Sequence, residues 1–112
     1  MIDRIGDRET FVRLRRRGRR ARSGPISIRH VPAPAPGSAR VAYAISRKVG
    51  NAVVRNRVRR RLREIARMLE RDGSLPAGDW LVIVAPGADR VSFADLAAHT
   101  SDAVGAITGG DG

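Results

Sequence analysis

The stretch Gly50–Glu64, GNAVVRNRVRRRLRE, carries six arginines and one glutamate where the pattern predicts a helix. Like charges at helical spacing repel one another, so this segment needs either counter-charges or a polyanion. A guanidinium group holds phosphate oxygens at two points and stacks on bases, which favours a phosphate-bearing partner. Asn51 is the predicted N-cap of the helix, and Arg47 and Lys48 add positive charge at the same end.

The predicted helix has one apolar side and one basic side. At about 100° per residue, its apolar stripe consists of Val54, Val58, Leu62, Ile65 and Leu69. The opposite side carries Asn56, Arg59, Arg60, Arg63 and Arg67, with Arg55, Arg57 and Arg61 on the flanks. We therefore expect a helix that packs on one side and holds a basic face rigidly towards solvent.

The charge of the whole chain supports a role for this face in binding a polyanion. Residues 1–71 have a net charge of +16, whereas residues 72–112 have a net charge of −5. A face that is merely solvated normally interleaves acids, but Glu64 is the only acid between Glu9 and Glu70. The apolar stripe is too narrow and too poor in aromatics to favour a membrane surface or a partner's groove.

Few residues in this sequence could perform chemistry on their own. The chain has no cysteine, which excludes disulfides, thiolate metal sites and a cysteine nucleophile. His30 and His99 have no carboxylate or second histidine at ligand spacing, and no Walker loop, nucleophile elbow or carboxylate pair occurs. We expect no catalytic residues and no protein-held metal. With no signal peptide and no apolar run of about 20 residues, a cytoplasmic protein is expected.

The other predicted elements place this helix in a small α/β domain. A first helix begins at the cap Asp7 and ends at Gly18, and the basic segment RRARSG is predicted to be a turn. The alternating runs PISIRHV and RVAYAIS are predicted to form a β-hairpin across the loop PAPAPGS.

The second half of the chain supplies the centre of the sheet and a last helix. The long helix should end near Arg71, and the apolar run WLVIVAP should be a central strand buried on both faces. Ser92 should cap the last helix, with Asp95 completing a capping box. Residues 1–108 are predicted to form one polyanion-binding domain, and residues 109–112 a flexible tail.

The segment Ile45–Glu64, ISRKVGNAVVRNRVRRRLRE, closely resembles the signature of the bacterial ribonuclease P protein component. That family carries a strand ending in Ser-Lys-Lys, then Gly-Asn-Ala-Val, then a helix with Arg-Asn-Arg. The resemblance implies an α+β sandwich with a small, mostly antiparallel sheet, three helices and a left-handed strand–helix–strand crossover.

The resemblance also implies a function. The protein would bind the catalytic RNA of ribonuclease P, which removes the 5′ leader from precursor tRNA with magnesium ions bound mainly by the RNA. No membrane or DNA partner is expected. The residues that would contact RNA are Arg47, Lys48, Asn51, Arg55, Asn56, Arg57, Arg59, Arg60, Arg63 and Arg67.

A cleft for the single-stranded leader is implied as well. Phe11 matches an aromatic that contacts the leader in this family, and Ser46 lies in the matching region before the helix. Arg15 and Arg29 stand where the family often has further aromatics, so leader binding here should rely more on charge and guanidinium stacking.

Two other function classes remain open from the sequence. A general RNA-binding or ribosomal-type protein without a catalytic RNA partner would show the same basic face. A protein-only nuclease would need clustered carboxylates, and the acids of this chain are scattered. Cleavage assays with and without the catalytic RNA separate the three classes.

Overall fold

The computed structural model describes residues 3–5, 7–32 and 38–109 as three helices and a five-stranded sheet. The helices are α1 (Arg8–Arg17), α2 (Ala52–Arg71) and α3 (Phe93–Thr108). The strands are β1 (Asp3–Arg4), β2 (Arg19–Ser23), β3 (Ile26–Pro32), β4 (Ala39–Ile45) and β5 (Gly78–Val84). Short 3₁₀ turns occupy Arg47–Val49 and Ala88–Arg90.

The sheet is mixed, with the strand order β1-β4-β5-β3-β2. The β2–β3 and β3–β5 pairs are antiparallel, whereas β1–β4 and β4–β5 are parallel. Parallel neighbours need a crossover, and α2 provides it between β4 and β5. This unit is the strand–helix–strand crossover that the resemblance implied, and the α+β fold is confirmed; the left-handed sense of the crossover stays a prediction.

The predicted hairpin between PISIRHV and RVAYAIS is wrong. These two strands, β3 and β4, do not pair with each other, because β5 lies between them. β5 is buried along almost its whole length, as expected of a central strand. An apolar strand buries more surface when it pairs on both sides in the centre of the sheet than when it lies at the edge. β5 therefore takes the central place and separates its two less apolar neighbours, β3 and β4.

The basic segment RRARSG is not a turn but mostly strand β2. Its residues pair with β3 from Arg19 opposite His30 to Ser23 opposite Ile26. The actual hairpin turn is Gly24–Pro25, where Gly24 has a φ of 55° that side chains other than glycine rarely adopt. Arginines are not typical of a strand, so the pairing with β3 decides this segment's conformation.

The two faces of the sheet carry separate apolar clusters. Alternating residues Val41, Tyr43 and Ile45 of β4 belong to the face that packs against α2 and α3. Ala42 and Ala44 belong to the opposite face, which α1 covers. The alternation predicted along β4 is therefore confirmed, and the sheet lies between one helix on one side and two on the other.

A polar network holds the start of α1 against the sheet. Asp7 caps α1 by accepting a hydrogen bond from the backbone N–H of Thr10. Arg40 donates from Nε and Nη2 to the two carboxylate oxygens of the buried Asp79, at 2.7 and 3.1 Å, and from Nη2 to the Thr10 hydroxyl. Hydrogen bonds from the Thr10 side chain and backbone lower the pKa of Asp7. This network fixes α1, and therefore Phe11, relative to β4.

Other end positions follow the sequence closely. Gly18 ends α1, α2 ends at Arg71, and the Ser92 side chain accepts from the backbone N–H of Asp95. Gly109 caps α3, and the rest of the predicted tail lies outside the described residues. Most of the predicted loop PAPAPGS, residues 33–37, also lies outside them, whereas Pro32 is the last residue of β3.

Candidate nucleic-acid interface

The core stripe of α2 fixes the direction of its basic face. Val58, Leu62, Ile65 and Leu69 are buried as predicted, and Val54 is half-buried at the first turn. Ala66 extends the stripe. On the outer side, the exposed residues include Asn56, Arg57, Arg60, Arg63 and Arg67. The helix therefore cannot rotate its arginines away from solvent without exposing the stripe.

Two predicted site residues act as helix caps. The Asn51 side chain accepts from the backbone N–H of Val54 at 3.0 Å and caps α2. The Ser46 hydroxyl accepts from the backbone N–H of Lys48 at 3.2 Å and caps the 3₁₀ turn before it. Their oxygens are thus engaged in folding, and Arg47 and Lys48 are exposed between the two caps. These local contacts set the geometry of the positive end of the helix.

Three arginines of α2, Arg55, Arg59 and Arg61, are half-buried, unlike their exposed neighbours. Arg59 is half-buried, and its Nη1 donates to the Asn56 side-chain oxygen at 2.8 Å, so Asn56 orients this guanidinium. Arg55 is also half-buried, and its Nε has no hydrogen-bond partner among the described residues. A buried donor without an acceptor costs free energy.

Arg59 and Arg63 line a cleft at the outer edge of β4, which we call the edge cleft. The edge cleft has a volume of about 380 Å³. Its lining residues are Ile5, Phe11, Val41, Ala42, Tyr43, Arg59 and Arg63. The helix face and the aromatic of α1, which the sequence treats as separate surfaces, meet in this one cleft. The reason is that α1 and α2 pack on opposite faces of the sheet, and the two faces meet at the outer side of β4, beside the short edge strand β1.

The other predicted leader residues lie further along α1. Phe11 is half-buried against Ile5, Leu14 and Ala42, and Phe11 and Arg15 line a second, shallow hollow on the same helix. Arg29 of β3 reaches the end of α1, where its Nη1 donates to the Arg15 carbonyl oxygen at 3.2 Å. The structure thus brings Phe11, Arg15 and Arg29 along one side of α1.

Ser46 lies apart from these three residues. It follows the carboxyl end of β4 and is not among the residues that line the edge cleft. Its position is explained by its cap, which places it beside the N-terminus of α2.

Tyr43 is the cleft residue that sequence reasoning did not single out. It alternates with Val41 and Ile45, so the pattern indicates only a core position. Burial raises the pKa of Tyr43 to about 12, while the charges of Arg63 and Arg67 act in the opposite direction. The phenol therefore stays protonated, as a hydrogen-bond donor beside two arginines. The available signal was that this is the only tyrosine of the chain, three residues after Arg40.

The described residues offer no built metal centre. No group of three or more histidine or acidic side chains comes together in residues 3–5, 7–32 and 38–109. Asp79 is paired with Arg40, and the ring of His30 is stacked on Trp80 at a centroid distance of 3.9 Å. Within the same ranges, no helix is both long and apolar enough to cross a bilayer.

An α+β domain with a rigid arginine face beside an aromatic cleft is typical of nucleic-acid-binding proteins. The family model described as Ribonuclease P matches residues 2–108. The chain belongs to the ribonuclease P protein family.

Individual relatives agree with the family match. The ribonuclease P protein component of Thermobifida fusca is 43% identical over 114 residues, which cover 95% of this chain and 76% of that protein. The one of Thermus aquaticus is 47% identical over 91 residues, which cover 81% of this chain and 51% of that protein. The chain therefore spans about half the length of the Thermus relative.

Solved structures support the fold. The RNase P protein of Staphylococcus aureus aligns with a TM-score of 0.79 at 22% identity, covering 90% of this chain and 91% of that one. The RNase P protein of Thermotoga maritima aligns with a TM-score of 0.76 at 24% identity, covering 89% and 93%. At these identities the likeness concerns the fold alone.

Proposed function

We propose that this chain is the protein subunit of ribonuclease P, a ribonucleoprotein endoribonuclease of the cytoplasm. The RNA subunit carries the chemistry, and the protein helps it remove the 5′ leader from precursor tRNA. Family membership supports this function, and the rigid basic face of α2 is the observation that carries it. Residues 1–108 would be the RNA-binding domain, and residues 109–112 a tail.

The basic face and α1 would have different RNA contacts. The residues for the catalytic RNA are Arg47, Lys48, Asn51, Arg55, Asn56, Arg57, Arg59, Arg60, Arg63 and Arg67. The residues for the leader are Phe11, Arg15, Arg29 and Ser46. Arginine forks bind phosphates of a folded RNA at two points, and an aromatic ring stacks on the bases of a single strand.

Metal ions in this reaction would be magnesium held mainly by RNA. Among the described residues, no three histidine or acidic side chains come together, and the proposal leaves the metal ligands to the RNA. The contribution of the chain would be electrostatic, because its positive face lowers the repulsion between two RNA molecules that must approach closely.

The test combines the purified chain, a precursor tRNA and a ribonuclease P RNA, at a magnesium concentration where the RNA alone cleaves slowly. We expect fast cleavage only when protein and RNA are both present. Cleavage by the protein alone would indicate a nuclease, and binding without any stimulation would indicate a general RNA-binding protein.

A matched pair of variants tests the face itself. Arg60→Gln removes one charge from the proposed face, whereas Arg71→Gln removes one exposed charge from the last turn of the same helix. We expect Arg60→Gln to weaken binding of the catalytic RNA about 5-fold or more, since a charge-assisted hydrogen bond is lost. Arg71→Gln should have a much smaller effect. Equal losses of RNA affinity in the two variants would contradict a defined RNA-binding face on α2.

A further inference from the structure

Helix α1 rests on the sheet through two buried side chains, Thr10 and Leu14, which lie about one turn apart. Leu14 belongs to the smaller of the two apolar clusters, together with side chains of β4 and β5. Apolar contacts have no direction of their own, so this cluster can hold the helix on the sheet without fixing its rotation. Phe11 follows Thr10 directly, and any roll of α1 about its axis would move the Phe11 ring.

Thr10 supplies the directional contact that the apolar cluster lacks. Its hydroxyl donates to Oδ2 of Asp7 at 2.5 Å and accepts from Nη2 of Arg40 at 3.2 Å. The residue is 2% exposed, so water cannot easily take the place of either partner. The rotation of α1 is therefore tied to the position of one guanidinium group on β4.

The sheet fixes that guanidinium group from the other side. Arg40 and Asp79 are direct neighbours in the parallel β4–β5 pair, on the face that α1 covers. Arg40 donates from Nε and Nη2 to the two carboxylate oxygens of Asp79, at 2.7 and 3.1 Å. A bidentate pair of this kind sets the plane of the guanidinium group as well as its distance. Nη2 is thus held by the sheet before it meets the helix.

We propose that Thr10, Arg40 and Asp79 are positioning residues for the 5′ leader, because they set the rotation of α1 and with it the place of Phe11. The proposal rests on the proposed function, which supplies the leader as the ligand of Phe11. None of the three residues needs to touch RNA. A purely structural network would instead affect folding and leave the preference for leader-bearing tRNA unchanged.

The first experiment changes the Thr10 hydroxyl alone. Thr10→Val keeps the shape of the side chain and removes both hydrogen bonds, whereas Thr10→Ser keeps the hydroxyl. The measurement is the affinity of the assembled enzyme for precursor tRNA relative to mature tRNA. We expect this ratio to fall about 3- to 10-fold in Thr10→Val, as for loss of one hydrogen bond, and to return towards the wild-type value in Thr10→Ser.

Two further readouts separate positioning from folding. The loss in Thr10→Val should appear in the affinity for precursor tRNA and not in the maximal cleavage rate at saturating substrate. Thr100→Val is the matched control, because Thr100 is 4% exposed and its hydroxyl donates within α3, to the Leu96 carbonyl oxygen at 2.8 Å. A wild-type ratio in folded Thr10→Val, or an equal loss in Thr100→Val, would overturn the proposal.

The second experiment observes the Phe11 ring without any RNA. Phe11 and Phe93 are the only phenylalanines, so the protein labelled with 4-fluorophenylalanine gives two ¹⁹F resonances, which Phe93→Leu assigns. Asp79→Asn removes the charge of the carboxylate and one of its acceptors. We expect the Phe11 resonance to shift or broaden in Asp79→Asn, while the Phe93 resonance stays in place.

An unchanged Phe11 resonance in folded Asp79→Asn would contradict the link between the sheet and the ring. If Asp79→Asn does not fold, the comparison of Thr10→Val with Thr10→Ser decides the question.

The two proposals fail in different ways. Stimulation of precursor tRNA cleavage by the wild-type protein tests the proposed function and does not depend on the network. If cleavage is stimulated but Thr10→Val keeps the full preference for precursor tRNA, only the positioning role is wrong. If the Phe11 resonance responds to Asp79→Asn but no catalytic RNA is stimulated, the proposed function is wrong, and with it the choice of the leader as the ligand of Phe11.

Discussion

Asn56 shows how a single residue can serve the basic face without contributing to packing. It is exposed, and its side-chain oxygen accepts a hydrogen bond from Arg59 at 2.8 Å. Without this acceptor, the Arg59 guanidinium at the edge cleft is no longer held in place. Ordering it when RNA binds would then cost conformational entropy. The residue would therefore affect RNA binding through the orientation of its neighbour.

We predict that Asn56→Ala leaves the free energy of unfolding within about 0.5 kcal/mol of the wild type and weakens assembly with the catalytic RNA. Denaturant unfolding and RNA titration measure the two quantities. Val53→Ala, at an exposed position of the same helix, is the control. If Asn56→Ala lost more than about 1 kcal/mol of stability, its role would be structural and the prediction wrong.

At the scale of the element, α2 carries a row of arginines whose positive charge would be neutralised by phosphates of its partner. Each phosphate that the face neutralises releases condensed cations, so affinity depends on salt. If α2 and α1 together neutralise about six to eight phosphates, the logarithm of affinity should fall against that of salt with a slope of about −4 to −7. Titrations at several salt concentrations measure this slope, and a value near −1 would contradict a face that meets RNA backbone.

The end of β3 carries a second element-scale prediction, for acid stability. His30 is 5% exposed and stacks on Trp80. Burial lowers its pKa, as does the charge of Arg19, while the hydrogen bond to the Ala77 carbonyl and the charge of Asp79 act in the opposite direction. The neutral ring is therefore favoured in the folded state.

The sign follows from proton linkage. In the unfolded chain, His30 has a pKa of about 6.5. Below that pH the unfolded chain binds a proton at His30 more readily than the folded chain does. The contribution of the neutral His30 to the free energy of unfolding is therefore fully present above that pH. It falls as the pH drops, until His30 is protonated in the folded state too. Denaturant unfolding at pH 7.5 and 5.5 should show this loss, and His30→Phe should reduce it while keeping a ring on Trp80. His99→Gln is the control; an equal reduction there would contradict the assignment to His30.

At the scale of the whole molecule, the fold places α1 and α2 on opposite faces of the sheet, on either side of β4. Under the proposed function, one domain would hold a single strand and a folded RNA at the same time. This arrangement predicts that leader contacts and catalytic-RNA contacts respond to different substitutions.

We predict that Phe11→Ala weakens binding of precursor tRNA about 5- to 100-fold and leaves mature tRNA almost unaffected, since a stacked base contributes about 1–3 kcal/mol. The measurement is binding of both tRNAs to the assembled enzyme. Phe11 is half-buried, so a folded far-ultraviolet spectrum and unchanged binding of the catalytic RNA must accompany the result.

The matched control is Phe93→Ala, which removes an exposed aromatic at the start of α3 and should change neither affinity. Equal losses for leader-bearing and leaderless tRNA would mean that Phe11 acts only in the core.

The local features of this protein could be predicted from its sequence. The caps at Asp7, Asn51 and Ser92 were identified correctly, as were the buried stripe of α2 and the central strand β5. Each depends on residues within a few positions of one another, whose spacing matches the period of a helix or strand. The composition of α2 also indicated its kind of partner, because an arginine face with a single exposed acid, Glu64, has few other stable environments.

The order of the strands and the edge cleft were decided only by the tertiary structure. Strand β2 forms because β3 offers it a pairing partner, although its arginines are typical of a turn or a solvated segment. β5 separates β3 from β4, and this placement brings Phe11, Tyr43 and Arg59 to one edge from three distant parts of the chain. The order of the strands depends on how the whole sheet is buried between the helices. The spacing of apolar residues along the chain carries no information about that order.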